Sequence, residues 1–196
     1  MAPHLIPDAV ALYWQAFGAK LGRVLGPEAR AHRYLADVID PSHVLAARSG
    51  DGSLLGIAGF KTAKGAFADG GFADLARHYG AGAVWRASVL WLLSREVDNR
   101  RFLIDGICVA RDARGQGVGT QLLSALADAA RRRGFAEMRL EVTDTNLRAR
   151  ALYERAGFRA IRTEALGPLR HVFGFDAAVT MVCPVEGAGQ MGQGVP

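Results

Sequence analysis

The sequence predicts an α/β fold, a mixed and mostly antiparallel central sheet flanked by helices, on three observations. An apolar run over Phe102–Val109, a glycine-rich turn and an amphipathic run over 121–130 follow one another, which is the order strand, turn, helix. Residues 43–49 and 54–60, separated by Gly50, Asp51 and Gly52, read as a β-hairpin. Beyond residue 158, segments 159–163 and 171–183 read as two further antiparallel strands, joined by Glu164 to Arg170.

Length and composition set the outer limits. A chain of 196 residues is the size of one domain with a full core, expected here over 1–186. Half of the residues are hydrophobic, which excludes an intrinsically disordered chain. The last stretch, 187–196, is rich in Gly and Gln and reads as a flexible tail. Cys108 and Cys183 both fall in expected strands, so they read as two buried thiols rather than a disulfide or a metal pair, and no metal is expected. No run is long enough to cross a bilayer and no signal peptide is visible, so a cytoplasmic protein without a membrane partner is expected. The net charge is +5 with His neutral, dominated by arginine in runs such as Arg131–Arg133. That run closes a helix, where cations suit the negative dipole end, and the overall charge attracts anionic ligands. The basic residues are not interleaved with aromatics, which argues against nucleic acid as a partner.

In chain order, Val10, Leu12, Tyr13, Trp14 and Phe17 give residues 7–17 a helical spacing. Pro27 and Glu28 open a second helix to about Ile39, and Pro41 stops it. His43 is expected to begin the first strand of the hairpin. Residues 62–100 form a helical insertion ahead of the central strand: a Gly/Ala-rich loop, then 72–79, then 83–93. The last of these is apolar around most of its circumference, which marks a core or oligomer helix and gives the expectation of a homodimer. It also enters just before the central strand, where it could wall a pocket, with Trp85 and Trp91 as apolar bulk.

The turn after the central strand carries the chemistry. Gly115, Gly117 and Gly119 lack a Cβ, so an anion can approach the backbone, and the turn ends where a helix begins. Free N–H groups and the positive end of the helix dipole therefore face the same point. A P-loop would need Lys before Thr120, and that position is Gly119. The dinucleotide fingerprint would need a sixth-place glycine counted from Gly115, and that position is Thr120. The run Arg114, Gly115, Gln116, Gly117, Val118, Gly119 fits Arg/Gln-x-x-Gly-x-Gly/Ala at every place.

That run resembles the signature of the GNAT (Gcn5-related) N-acetyltransferases, in which the loop holds the pyrophosphate of acetyl-CoA. A second stretch, Asn146, Ala151, Leu152, Tyr153, Gly157 and Phe158, looks like the second motif of the same family. The two stand in the right order, one strand apart. The resemblance covers roughly residues 43–183, with 62–101 unfamiliar, and is most specific over 102–158. It implies the GNAT fold. It also implies acetyl-CoA as co-substrate, an amine-bearing small molecule or peptide as acceptor, and direct transfer in a ternary complex. Members of the family normally have a strand before their first helices. Only Met1–Ile6 are available for one here, so it is expected to be short or absent.

Site roles follow from the resemblance residue by residue. The cradle is Arg114, Gly115, Gln116, Gly117, Val118, Gly119 and Thr120. The end of the central strand, Ile107, Cys108 and Val109, should hold the pantetheine arm and the thioester through backbone groups, with Gly106 marking a bulge. Asn146 resembles the asparagine that contacts the CoA arm, and it also reads as a helix N-cap. Tyr153 follows it by seven residues, about two turns, and resembles the general acid. For the base, Glu141 resembles the base position of the ribosomal-protein alanine acetyltransferases. Asp105 is its rival, placed by strand alternation on the side of Ile107 and Val109; water is the third option. Two other readings remain: a GNAT-like domain that senses acyl-CoA without turnover, and a structural domain that uses 83–93 as an interface. The acceptor's identity lies in the loops and is not legible.

Overall fold

The structure, a computed structural model, describes residues 1–93, 101–167, 170 and 174–185. In chain order the elements are α1 (Ile6–Leu25), α2 (Glu28–Val38), β1 (Val44–Arg48), β2 (Leu54–Lys61), α3 (Phe72–Tyr79) and α4 (Ala83–Leu93). Then come β3 (Phe102–Val109), α5 (Val118–Arg132), β4 (Glu137–Thr143), α6 (Leu147–Arg155), β5 (Arg159–Ala165) and β6 (Ala177–Pro184). The strands form one six-stranded sheet in the order β1-β2-β3-β4-β6-β5. Only β3 and β4 run parallel; every other neighbour is antiparallel. Among the described residues no strand precedes α1: Pro3–Leu5 form a 3-10 turn that feeds straight into the helix.

Two apolar cores lie against the sheet. One packs Phe60, Phe102, Leu126, Met138 and Met181, all nearly inaccessible, with α5 across them. The other packs α1, α2 and α3 through Val10, Leu35 and Leu75, together with Phe67 from the segment before α3, onto Ile57 and Cys108. Helix α1 runs eight residues past its expected end at Phe17, through Gly18 and Gly22. Both glycines lie under the Trp14 indole, where a Cβ at Gly18 would come within 3.0 Å of the ring. The aromatic cover offsets the usual cost of helical glycine.

His43 does not begin a strand. It closes a 3-10 turn, Pro41–His43, whose N-cap Asp40 accepts from the Ser42 N–H at 2.8 Å. Its ring is buried and bound at both nitrogens, to Asp40 at 2.7 Å and to Thr62 Oγ1 at 3.3 Å. Strand β6 starts at Ala177; residues 171–173, expected in it, lie outside the described residues, as do 186–196 and so the expected tail.

The register of β3 positions the site. It pairs with β2 over Val109↔Gly56 to Leu103↔Lys61, but Gly106 faces Gly59 while Ile104 faces Phe60. Asp105 is therefore the extra residue of a bulge, at the place Gly106 had suggested. On its other edge β3 pairs with β4 only from Phe102↔Met138 to Ile104↔Leu140. Past that point the two parallel strands part, and the second half of β3 has an open edge.

Candidate active site

Backbone groups line that opening. In antiparallel pairing, residues bonded to the partner alternate with residues that point away. The Ala110 N–H donates to the Leu55 carbonyl of β2 at 2.9 Å, which sets the phase. Cys108 is then turned toward β2, and Ile107 and Val109 present their N–H and C=O groups to the gap beside β4. Of the three residues expected to hold a thioester arm, Ile107 and Val109 thus turn backbone groups to that gap and Cys108 does not. The Cys108 thiol is almost fully buried, and burial pushes its pKa up to about 12.

The turn that follows is braced from within. Arg114 Nε donates to the Val109 carbonyl at 3.2 Å, and Gln116 Nε2 donates to the Asp112 carbonyl at 2.8 Å. These two side chains hold the loop's shape. Gly115 and Gly117 both adopt φ of 80°, a left-handed conformation that favours glycine, and open space lies where their Cβ atoms would stand. Gly119 differs: a Cβ there would come within 2.9 Å of Leu152, so its role is close packing of α5 on α6. Val118 is buried in the core and Thr120 is exposed. The first helical bond of α5 runs from Gln121 N–H to the Gly117 carbonyl. Among the described residues, the N–H groups of Gly115 to Thr120 therefore donate to no other backbone carbonyl. Six consecutive donors at a helix start can take the oxygens of a diphosphate.

Asn146 is the N-cap of α6; its Oδ1 accepts from the Ala149 N–H at 3.2 Å. It is exposed, whereas Tyr153 is buried with its ring against Phe158, so the two side chains do not share one surface. The Tyr153 hydroxyl has no hydrogen-bond partner among the described residues. Burial, with the Cys108 thiol nearby, pushes the phenol up to about 12.

The two carboxylates differ sharply. Glu141 is half exposed and accepts from Arg139 Nη2 at 3.0 Å. Asp105 does not lie on the side of Ile107 and Val109, because the bulge reverses the alternation. Ile107 and Val109 pack toward the α5 core, while the Asp105 carboxylate accepts from the Phe67 N–H at 3.3 Å on the α1–α3 side. Asp105 keeps an outer surface in solvent, yet its carboxylate is packed against protein, and desolvation raises its pKa; the Phe67 N–H, Lys61 and His43 pull the other way. Tyr13 of α1 stands beside Asp105 and Cys108, and burial raises its phenol pKa too. Tyr13, Lys61 and the Phe67 amide carry no local signal of this role, since each arrives through tertiary packing. Among the described residues no group of three His, Cys, Asp or Glu side chains converges on one point, and no helix is long and apolar enough to cross a membrane.

Known proteins resemble this chain. A probable N-acetyltransferase, camello, from Xenopus tropicalis is 42% identical over 71 residues, 36% of this chain and 32% of its own. A streptothricin acetyltransferase from Streptomyces lavendulae is 45% identical over 60 residues, 31% of this chain and 32% of its own. The chain thus spans about a third of the length of these curated relatives. The crystal structure of a GCN5-related N-acetyltransferase from Kribbella flavida superposes with a TM-score of 0.60 at 21% identity, over 94% of each chain, a likeness of fold. The sequence model of the acetyltransferase (GNAT) family matches residues 7–158, most of the chain, and the protein belongs to that family.

Proposed function

We propose that this protein moves an acetyl group from acetyl-CoA to a primary amine, directly, in a ternary complex. The observation that carries the reading is the run of six unpaired N–H groups from Gly115 to Thr120, which opens beside the parted edge of β3. Those amides would hold the diphosphate. The Ile107 and Val109 backbone would lie along the pantetheine arm, with a backbone N–H aimed at the thioester oxygen, where charge develops. The co-substrate supplies an activated acetyl group; the chain's own residues orient it and manage two protons.

The incoming amine must lose a proton as its nitrogen bonds to the acetyl carbon, and the sulfur takes up charge as the C–S bond breaks. Asp105 is the better base. Its raised pKa brings it closer to neutrality, which general base catalysis favours, whereas Glu141 is already committed to Arg139. Tyr153 would donate a hydrogen bond to the departing sulfur. Full transfer from a phenol near 12 to a thiolate of pKa about 8.5 would be uphill by roughly 5 kcal/mol. The phenol therefore acts mainly by hydrogen bonding, and the thiolate takes its proton from water. The free hydroxyl of Tyr153 favours turnover over silent acyl-CoA sensing.

Calorimetry with acetyl-CoA tests the reading. Gly117→Val strains a left-handed residue and crowds the open space above it, so acetyl-CoA affinity should fall at least tenfold with the fold retained. Unchanged affinity in the folded variant would reject the cradle. Release of CoA in the presence of amines separates an enzyme from a sensor.

A further inference from the structure

The turn after β2 has properties that acetyl transfer alone does not require. The chain contains three lysines, Lys20, Lys61 and Lys64; Lys61 ends β2 and Lys64 lies on the turn. They line a hollow of about 410 Å³ together with Thr62, Gly65, Ala66 and Asp69. Some cations elsewhere are paired, as Arg77 is with Asp74 at 3.2 Å and Arg150 with Glu154 at 2.9 Å. Lys61 and Lys64 form no ion pair among the described residues. Two like charges three residues apart repel, and they gain from an anion between them.

The turn is held in shape. Thr62 N–H donates to the Gly65 carbonyl at 2.8 Å and Gly65 N–H returns to Thr62 at 3.3 Å. Lys64 N–H donates to Thr62 Oγ1 at 3.2 Å, and the same hydroxyl meets His43 Nε2. The His43 ring lies against Gly65, where a Cβ would come within 2.7 Å of it. Opposite the lysines, Asp69 is fixed by its N–H donating to the Val38 carbonyl at 3.0 Å.

The hollow adjoins the reacting centre. Lys61 faces Leu103 across the sheet, two residues before Asp105, and its charge is felt by the Asp105 carboxylate. Ala66, on the wall, precedes Phe67, whose N–H binds Asp105. Carboxylates that suit an ammonium thus stand next to ammoniums that suit a carboxylate.

We propose that this hollow is the anion subsite for the acceptor, so that the acceptor is a small amine that also bears a carboxylate, an amino-acid-like zwitterion. This rests on the acetyltransferase reading above. The acceptor's amine lies toward Asp105, and its carboxylate lies between Lys61 and Lys64, which form charge-assisted hydrogen bonds to it.

The test measures CoA release with the standard amino acids, each against its carboxamide and, where available, its decarboxylated amine, such as lysine against cadaverine. For the best acceptor, kcat/KM should favour the free carboxylate by at least tenfold. Lys64→Gln, and Lys61→Gln with Lys64→Gln, should reduce that carboxylate-to-amide ratio to within about twofold, mainly through KM. Amides or decarboxylated amines used as well as the free acids, or a ratio that survives both substitutions, would overturn the subsite while acetyl transfer stands. Acetyl-CoA binding with no release to any of these acceptors would also overturn it. Failure to bind acetyl-CoA would overturn the acetyltransferase reading itself.

Discussion

In the proposed reaction Tyr153 and Asp105 divide the proton chemistry, and each makes a separable prediction. Tyr153→Phe removes only a hydroxyl that has no partner among the described residues, so the fold should persist and acetyl-CoA should bind nearly normally. Single-turnover acetyl transfer should slow by about 10- to 100-fold, toward the low end of acid–base contributions because the phenol keeps its proton. A rate within twofold of wild type would remove Tyr153 from the reaction. Asp105→Asn should abolish the acidic limb of the pH–rate profile, whereas Glu141→Gln should leave that limb in place. The stability sign follows from the raised pKa. A carboxyl that binds its proton more tightly in the folded state favours the fold below its unfolded pKa and loses that advantage as pH rises through its folded pKa. Asp105→Asn should therefore melt no lower than wild type at pH 7 to 8, and fare relatively worse near pH 4. The opposite trend in thermal melts would contradict the placement of this carboxylate.

At the scale of elements, the glycine turn divides its labour. Gly115 and Gly117 are needed for left-handed backbone and open space, while Gly119 lets α5 sit on Leu152 of α6. Gly119→Val should force the two helices apart and cost about 1–3 kcal/mol in chemical denaturation, the range for overpacking. Leu126→Ala, on the buried face of α5, should cost about 2–5 kcal/mol through the cavity it leaves. The strand–turn–helix unit was legible because its apolar period and glycine spacing are local. So were the bounds of α3 and β3 and the start of α4 at Ala83, where the helical and strand patterns begin locally. The extension of α1 was not, because the cover of Gly18 and Gly22 by Trp14 is a packing event. Nor was the side on which Asp105 lies: one extra residue in β3 reverses its direction, and a bulge is fixed by pairing with β2. Likewise, one partner of the His43 ring, Thr62, comes from a turn nineteen residues away.

For the whole molecule, the sheet joins the two cores, so both should be lost together. Thermal unfolding followed by near-UV and far-UV circular dichroism should give coincident transitions; two separated transitions would mean that the cores fold independently. Phe72, Val84 and Trp85 of α3 and α4 are exposed, and we propose that they form the contact of the homodimer expected from the sequence. Sedimentation at micromolar concentration should give a dimer, weakened by Val84→Glu, and a monomer throughout would refute that assembly. The central claim is that the amides of Gly115 to Thr120, beside the parted edge of β3, receive acetyl-CoA. It is tested most directly by titrating isotope-labelled protein with acetyl-CoA and following each backbone amide by nuclear magnetic resonance. The largest shifts should fall on residues 115–120, with Ile107 and Val109 next, and Gly117→Val should suppress them. Saturable binding that leaves those amides unmoved, with shifts clustered elsewhere, would contradict the account.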